Sequence, residues 1–262
     1  MPNPLLLILL GWIAVASAMT GLWLYQRRTG DSGIVDVAWA AGVGTLAAIY
    51  AMRTPSEVGL RKTLVMFVVL FWAARLSLYV WVRVRGMPED GRYHAMKEKW
   101  GEQAQARMFL FYQFQALACL LFSLPMLIAI LNPQPIGWLD YFGVAIALLA
   151  IAGESLADWQ LHRFRKQPAN QGQVCRDGLW NYSRHPNYFF EWLHWWAYVL
   201  FSITYPLGWL NILGPLAMLF FILRVTGIPP TEAQAIKSRG DAYREYQKTT
   251  SAFFPWFPKQ PT

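Results

Sequence analysis

Charged residues are scarce in this chain, and their scarcity indicates the class of protein. Of the 262 residues, 15% are charged, whereas 55% are hydrophobic and 16% are aromatic. A soluble domain of this length carries about 25% charged residues. The composition therefore predicts an integral membrane protein whose main partner is the lipid bilayer, and we expect no nucleic-acid partner despite the net charge of +8.

Cysteine is nearly absent, and so are the common cofactor motifs. The two cysteines, Cys119 in an apolar run and Cys175 in a loop, are too few for a disulfide framework or a Cys-based metal site. The histidines have no zinc-binding spacing with carboxylates, so we expect no metal. Neither Gly-x-Gly-x-x-Gly after a strand nor Gly-Lys-Ser/Thr occurs, which argues against a Rossmann site and a phosphate loop.

The N-terminal segment lacks the basic start of a cleaved signal peptide. Its apolar run is long and ends before Arg27 and Arg28, which is the pattern of a membrane anchor. A helix needs about 20 apolar residues to cross a bilayer. Seven segments meet that length and predict an all-α membrane protein with seven spans: Leu5–Tyr25, Ile34–Met52, Thr63–Val82, Met108–Leu131, Trp138–Ala157, Tyr188–Thr204 and Leu207–Val225.

Lysine and arginine are distributed unevenly between the alternate loops that seven spans create. One set of loops and the C-terminal tail hold most of them, whereas the other set holds only Arg53, Arg61 and Lys62. Basic residues concentrate on the cytoplasmic side of membrane proteins. We therefore expect the N-terminus outside and the C-terminus in the cytoplasm.

The cytoplasmic tail has its own pattern of structure. Pro229-Pro230 predicts the end of the last span, and the Thr231–Gln234 sequence is typical of a capping box that opens a short helix. We expect this helix to continue through Tyr246, because Ala233, Ile236, Tyr243 and Tyr246 would form its less polar face. The aromatic segment Phe253–Pro258 is expected to rest at the membrane interface.

Ionisable residues within apolar segments are costly, so each is a candidate for function. Asp36 lies near the start of the second segment, and Glu154 and Asp158 lie four residues apart near the end of the fifth. Arg165 follows seven residues later on the same helical face, where it could neutralise the two carboxylates. An interfacial ion-pair network is the alternative explanation.

The stretch from Gly178 to Glu191 is the most informative in the chain. Pro186 disfavours helix at His185, so a helix should begin near Asn187 and place Arg184 and His185 beside its N-terminus. Helix N-termini attract anions, which suggests a phosphate-bearing cofactor. One face of that helix carries the residues Asn187, Glu191, His194 and Trp195.

The segment Arg83–Tyr93 is expected to be a cytoplasmic loop that could close over a ligand or simply be solvated.

Three blocks of the sequence resemble the steroid 5α-reductase superfamily, and most closely its bacterial branch of steroid-reductase-like membrane proteins. The first is Gly178–Glu191, the second is Ala157–Gln160 with Phe164–Lys166, and the third is Tyr243–Gln247 with Phe254–Trp256. Sterol C14 reductases and isoprenylcysteine methyltransferases are similar in the same region.

The resemblance implies a bacterial inner-membrane reductase that binds NADPH in a cytoplasm-facing cavity and reduces a steroid-like enone. It implies one membrane domain over residues 1–262, in which residues 1–107 contribute the substrate part and residues 108–262 the NADPH part. The implied cofactor contacts are Arg83, Glu154, Asp158, Arg165, Arg184, His185, Asn187, Tyr188, Glu191, Trp195, Arg239, Tyr243 and Tyr246.

The family polarises its substrate with a Tyr in the third helix and a Glu in the second. Asp36 is the candidate for the acid and would donate a proton if the bilayer kept it protonated. Trp72 stands at the expected Tyr position, so Tyr93 or Tyr79 is the candidate hydroxyl donor. The implied substrate contacts are Asp36, Trp39 and Trp72.

Two other functions fit parts of the sequence. A methyltransferase on the same fold would use S-adenosylmethionine, but the basic loop after the fifth segment disfavours it mildly. A non-catalytic membrane protein or transporter is also conceivable. However, the polar residues cluster toward one membrane face, whereas a transport pathway would place them near the midplane.

Overall fold

The computed structural model describes residues 4–54, 59–86, 89 and 91–259. Every regular element within these residues is helical, as the composition predicts. The chain divides into two compact units, which are described separately below. Unit 1 comprises residues 1–137 and 201–209, and unit 2 comprises residues 138–200 and 210–262.

Unit 1 is organised around a central helix that packs against two neighbours. Its helices are α1 (Pro4–Thr29), α2 (Ile34–Arg53), α3 (Gly59–Gly86), α4 (Gly91–Trp100) and α5 (Ala104–Ile130). Helix α2 packs against α3 and α5, and α1 packs against α5. The approach of α2 to α3 requires a small residue, because a Cβ on Gly44 would lie 2.6 Å from the Cβ of Ala73.

Unit 2 combines two long helices with a series of shorter ones. Its helices are α6 (Trp138–Lys166), α7 (Pro186–Ser202, whose last residues belong to unit 1), α8 (Leu213–Phe220), α9 (Ile228–Arg239) and α10 (Asp241–Thr249). Helices α6 and α7 approach closely, since a Cβ on Gly153 would lie 2.4 Å from the ring of Phe190. The extended chain after α10 completes the unit.

Among the residues that the structure describes, six helical stretches are long and apolar enough to cross a membrane. They correspond to six of the seven expected segments and support a multi-pass membrane protein. The exception is α7, which matches the sixth expected segment but has 17 residues. The seventh expected segment is interrupted: a 3-10 turn precedes α8, and π-helical turns at Phe221–Val225 follow it.

Three local expectations were wrong. The expected loop Arg83–Tyr93 is largely helical, because α3 continues to Gly86 and α4 begins at Gly91. The tail helix begins at Ile228, before the expected capping box, since proline fits the first turn of a helix. That helix also ends earlier than expected, because Gly240 has a φ of 55° and separates α9 from α10.

A buried arginine holds the turn that follows α5. Arg61 is 2% exposed, and its guanidinium donates to the carbonyl oxygens of Asn132 (3.1 Å), Gln134 (2.6 Å) and Pro135 (3.0 Å). Asn132 in turn donates through Nδ2 to the carbonyl oxygen of Phe201 at 2.9 Å. This basic residue therefore satisfies backbone acceptors that would otherwise be buried without donors.

We predict that Arg61→Met destabilises the protein, because three carbonyl acceptors lose their charged donor. The expected loss is about 3 kcal/mol, or a melting temperature about 5–10 °C lower. Thermal unfolding in detergent measures it. Arg53→Met is the matched control, since Arg53 is exposed at the end of α2; equal melting temperatures for the two variants would contradict the assigned role.

Candidate functional site

In unit 1, the structure brings together the two sequence-predicted residues Asp36 and Tyr93. Asp36 lies in the first turn of α2 and Tyr93 in α4. The Tyr93 hydroxyl donates to Asp36 Oδ1 at 2.7 Å, and Tyr93 is 3% exposed. A fixed hydroxyl beside a carboxylate is an arrangement that can polarise a carbonyl group.

Two guanidinium groups flank this pair, which we call the Asp36 cluster (Asp36, Arg83, Arg92 and Tyr93). Arg92 Nη2 lies 3.2 Å from Asp36 Oδ2, and Arg83 Nη2 lies 3.9 Å from the same oxygen. Both carboxylate oxygens therefore face donors, so Asp36 acts as an acceptor in this arrangement.

Neighbouring contacts fix the turn between α1 and α2 from which Asp36 projects. The Glu89 carboxylate accepts from the Ser32 backbone N–H at 2.8 Å and from Lys97 Nζ at 2.7 Å. Lys97 also donates to the Gly30 carbonyl oxygen at 2.6 Å. The α1–α2 turn and α4 are thus tied together, which holds Asp36 and Tyr93 in register.

The other unit 1 candidates lie on α2 and α3. The rings of Trp39 and Trp72 form an edge-to-face contact with centroids 6.0 Å apart. Trp72 is completely buried, whereas Trp39 is partly exposed. Tyr79 is partly exposed one helical turn before Arg83.

In unit 2, α6 and α7 bring further candidates together. Asn187 Nδ2 donates to Asp158 Oδ1 at 3.2 Å, and Trp195 Nε1 donates to Glu191 Oε1 at 3.1 Å. The carboxyl-bearing residues Glu154, Asp158 and Glu191 are all largely buried. Two facing helices therefore present polar groups that could bind hydroxyl or amide groups of a ligand.

Arg184 occupies the beginning of this region and is held mainly by the tail. Its Nε donates to Glu232 Oε1 at 2.7 Å, and its Nη1 donates to the carbonyl oxygens of Gln247 (3.1 Å) and Thr250 (2.6 Å). These three contacts orient the guanidinium and tie Arg184 to the tail.

His185 shares the same carboxylate and is buried beside α7. Its Nε2 lies 3.2 Å from Glu232 Oε1, and its ring stacks on Tyr188 at 5.3 Å with an interplanar angle of 4°. Burial lowers the pKa of His185, and this effect outweighs the opposing influence of Glu232. A neutral ring that donates through Nε2 is consistent with this environment.

The remaining unit 2 candidates contact the protein itself or lie at its surface. The Tyr243 hydroxyl donates to Glu232 Oε1 at 3.3 Å, and the Tyr246 hydroxyl donates to the Trp180 carbonyl oxygen. Burial raises the pKa of both tyrosines. Arg239 Nε donates to the Gln173 carbonyl oxygen at 2.9 Å, and Arg165 is exposed near the end of α6.

The chain after α10 lies along the segment that precedes α7. The Arg184 backbone N–H donates to the Ser251 carbonyl oxygen at 2.8 Å. Ser183 Oγ donates to the Phe253 carbonyl oxygen at 2.9 Å, and the Trp256 N–H donates to the Tyr182 carbonyl oxygen at 2.9 Å. These bonds hold the Arg184–Asn187 motif from both sides of its backbone.

Sequence reasoning missed Glu232 as the centre of this network. Its carboxylate accepts hydrogen bonds from Arg184, His185 and Tyr243 through Oε1, and from Gln247 through Oε2. The available signal was an acidic residue in a mostly basic tail, but it was interpreted as part of a capping box. Glu89 was also missed, because its partner Ser32 lies 57 residues away in the chain.

One family model matches residues 22–250, and its description is Protein of unknown function (DUF1295). The chain belongs to the DUF1295 family. No curated protein and no solved structure matches the chain. Within the part of the chain that the structure describes, no group of three His, Cys, Asp or Glu side chains could hold a metal ion.

We predict that Glu232→Gln loosens the tail. Both oxygens of the Glu232 carboxylate accept hydrogen bonds, whereas the glutamine amide would replace one of these oxygens with an NH₂ group, which cannot accept them. A loss of about 2–3 kcal/mol is expected, or a melting temperature lower by about 5–10 °C. Limited proteolysis should cleave the tail faster. The control is Glu245→Gln, whose carboxylate is 57% exposed and pairs only with exposed Lys248 among the described residues; if both variants behaved alike, Glu232 would not organise the tail.

Proposed function

We propose that the protein is an NADPH-dependent membrane reductase of a carbon–carbon double bond conjugated to a ketone, with a lipophilic, steroid-like substrate. The observation that carries this proposal is the Tyr93–Asp36 hydrogen bond, in which a buried hydroxyl is held beside a carboxylate that two guanidinium groups also contact. The resemblance of the motif around Arg184 to steroid 5α-reductases supports the same reaction.

Reduction of an enone develops negative charge on the ketone oxygen as hydride reaches the β-carbon. The Tyr93 hydroxyl is the proposed donor to that oxygen. Rotation about its C–O bond would redirect the proton from Asp36 to the substrate, because an enolate oxygen is more basic than a carboxylate. The Asp36 carboxylate would then keep its contacts with Arg92 at 3.2 Å and Arg83 at 3.9 Å.

The orientation of the Asp36 cluster supports this role, because Asp36 fixes the Tyr93 hydroxyl through a 2.7 Å hydrogen bond. Donors that are already oriented before reaction avoid the cost of reorganisation during it. Tyr93 is therefore a stronger candidate than a protonated Asp36, since Oδ1 and Oδ2 already accept hydrogen bonds.

NADPH would supply the hydride, and the residues of unit 2 fit its binding. Guanidinium groups match phosphate oxygens. Arg184 presents a guanidinium that three contacts orient, and Arg165 is exposed near the end of α6. The polar groups of Asp158, Asn187 and Glu191 would bind hydroxyl or amide groups of the cofactor.

We also propose the seven-span topology, with the N-terminus outside and the cofactor residues facing the cytoplasm of a bacterial inner membrane. Helix α7 has 17 residues, which is the lower limit for a span and corresponds to about 25 Å. Including α7 among the spans places the tail on the same side as the basic loops, in agreement with the positive-inside rule.

We predict that NADPH stabilises the detergent-purified protein against thermal unfolding, whereas NADH has a smaller effect and S-adenosylmethionine has none. A ligand that binds only the native state adds about 2.7 kcal/mol at 100 times its dissociation constant. Stabilisation by S-adenosylmethionine alone would contradict the reductase and favour a methyltransferase. No stabilisation by any of the three would favour a non-catalytic membrane protein.

We predict that Tyr93→Phe lowers turnover of an enone such as progesterone by about 10²–10³-fold, the effect of losing one oriented donor. NADPH affinity should stay unchanged, because Tyr93 is proposed to contact only the substrate. Tyr79→Phe is the matched comparison, since Tyr79 is the other candidate donor in unit 1. A larger loss in Tyr79→Phe than in Tyr93→Phe would transfer the donor role to Tyr79.

A further inference from the structure

Three helices carry the same pair of residues near their C-terminal ends: a tryptophan followed four residues later by an arginine. In each pair the guanidinium lies over the indole ring. The distances from the guanidinium carbon to the ring centroid are 5.1 Å for Arg27 and Trp23 in α1, 4.1 Å for Arg85 and Trp81 in α3, and 5.4 Å for Arg163 and Trp159 in α6. We call these the three Trp–Arg pairs.

The first pair shows that the ring is a fixed platform. Trp23 Nε1 donates to the Gln105 carbonyl oxygen at 3.1 Å, and the Trp23 ring packs edge-to-face against Phe109 with centroids 5.1 Å apart. The ring of Trp23 is therefore locked between α1 and α5. An arginine that stacks on a fixed ring loses less side-chain freedom when it binds a further partner.

The three arginines differ from those of the Asp36 cluster in what they contact. Arg83 and Arg92 face the Asp36 carboxylate, whereas Arg27, Arg85 and Arg163 form no salt bridge among the described residues. All three are exposed. An interaction with the ring does not use the in-plane N–H groups of a guanidinium, which are the groups that bind oxyanions.

The three Trp–Arg pairs lie near the ends of helices that could cross a membrane, where lipid headgroups would supply an anion. Helices α1, α3 and α6 are each long and apolar enough to cross a membrane, and each pair lies within the last eight residues of its helix. Tryptophan prefers the level of the lipid headgroups, and long basic side chains extend toward it. We therefore expect the guanidinium N–H groups of the three pairs at the level of the lipid phosphates.

We propose that the three Trp–Arg pairs bind the phosphate groups of anionic phospholipids. The guanidinium edge would donate two hydrogen bonds to phosphate oxygens, and the indole ring would contact the glycerol and upper acyl region beside it. A lipid is a better occupant than free phosphate, because only a lipid also covers the apolar side of the exposed ring, which is 54% exposed in Trp159. This inference does not depend on the proposed reductase activity.

Native mass spectrometry of the delipidated full-length protein in detergent tests the proposal. Dioleoyl phosphatidylglycerol, dioleoyl phosphatidylcholine and inorganic phosphate are titrated separately, and bound molecules are counted. We predict that phosphatidylglycerol binds most tightly and that Arg27→Gln weakens its first binding steps about fivefold. The matched control is Arg28→Gln, which removes the same charge from the next residue, where Leu24 replaces an aromatic ring four positions earlier.

Trp159→Leu separates stacking from charge, because it keeps Arg163 and removes an exposed ring whose loss should leave folding intact. Phosphatidylglycerol should bind this variant more weakly as well. Equal effects of Arg27→Gln and Arg28→Gln would show nonspecific charge attraction and overturn the proposal. Equal binding of the two lipids, or tight binding of inorganic phosphate alone, would also overturn it.

Discussion

Few charges are available to this protein, and each buried one must find its partners within the chain. Glu232 shows the consequence most clearly, because one carboxylate accepts hydrogen bonds from Arg184, His185, Tyr243 and Gln247. These residues belong to the segment before α7 and to α10, while Glu232 itself lies in α9. An acceptor of this kind is costly to leave unpaired, so it holds three separate parts of unit 2 in one arrangement. The orientation of Arg184, and with it any role in binding a phosphate, depends on that carboxylate.

The same constraint acts in unit 1 with a different result. Asp36 is met by a hydroxyl and two guanidinium groups, so donors face both of its carboxylate oxygens. In the proposed reaction, the hydroxyl of Tyr93 that Asp36 holds in place would turn to the enolate oxygen. In unit 2, by contrast, the contacts of Glu232 involve one arginine and otherwise neutral donors, because burial favours the neutral form of His185.

Much of the fold could be predicted from the sequence, since long apolar segments have few stable alternatives in a bilayer. The pairing of Asp158 with Asn187 was within reach, because both residues were placed on helices near one end of adjacent segments. The Glu232 network was not, because 48 residues separate Glu232 from Arg184 along the chain and no local pattern encodes that contact. The break at Gly240 was missed because a glycine in a polar segment is compatible with either a helix end or a continuous helix. The interrupted segment around α8 was also missed, since apolar composition reports length but not helical regularity.

In the proposed reductase, the placement of Tyr93 accounts for one difference from the steroid 5α-reductase pattern, which is the absence of a tyrosine at the position of Trp72. Trp72 stands at the position where a tyrosine is expected, and it is completely buried against Trp39. A hydroxyl donor must then come from another element, and α4 supplies one where the sequence predicted a loop. The helix matters because it fixes the direction of the Tyr93 side chain, while Glu89 and Lys97 fix the neighbouring α1–α2 turn. A donor on a flexible loop would lose orientation and much of its electrostatic effect. Because α4 is helical, Tyr93 is oriented well enough to take the role that a tyrosine at the position of Trp72 would have in the proposed reductase.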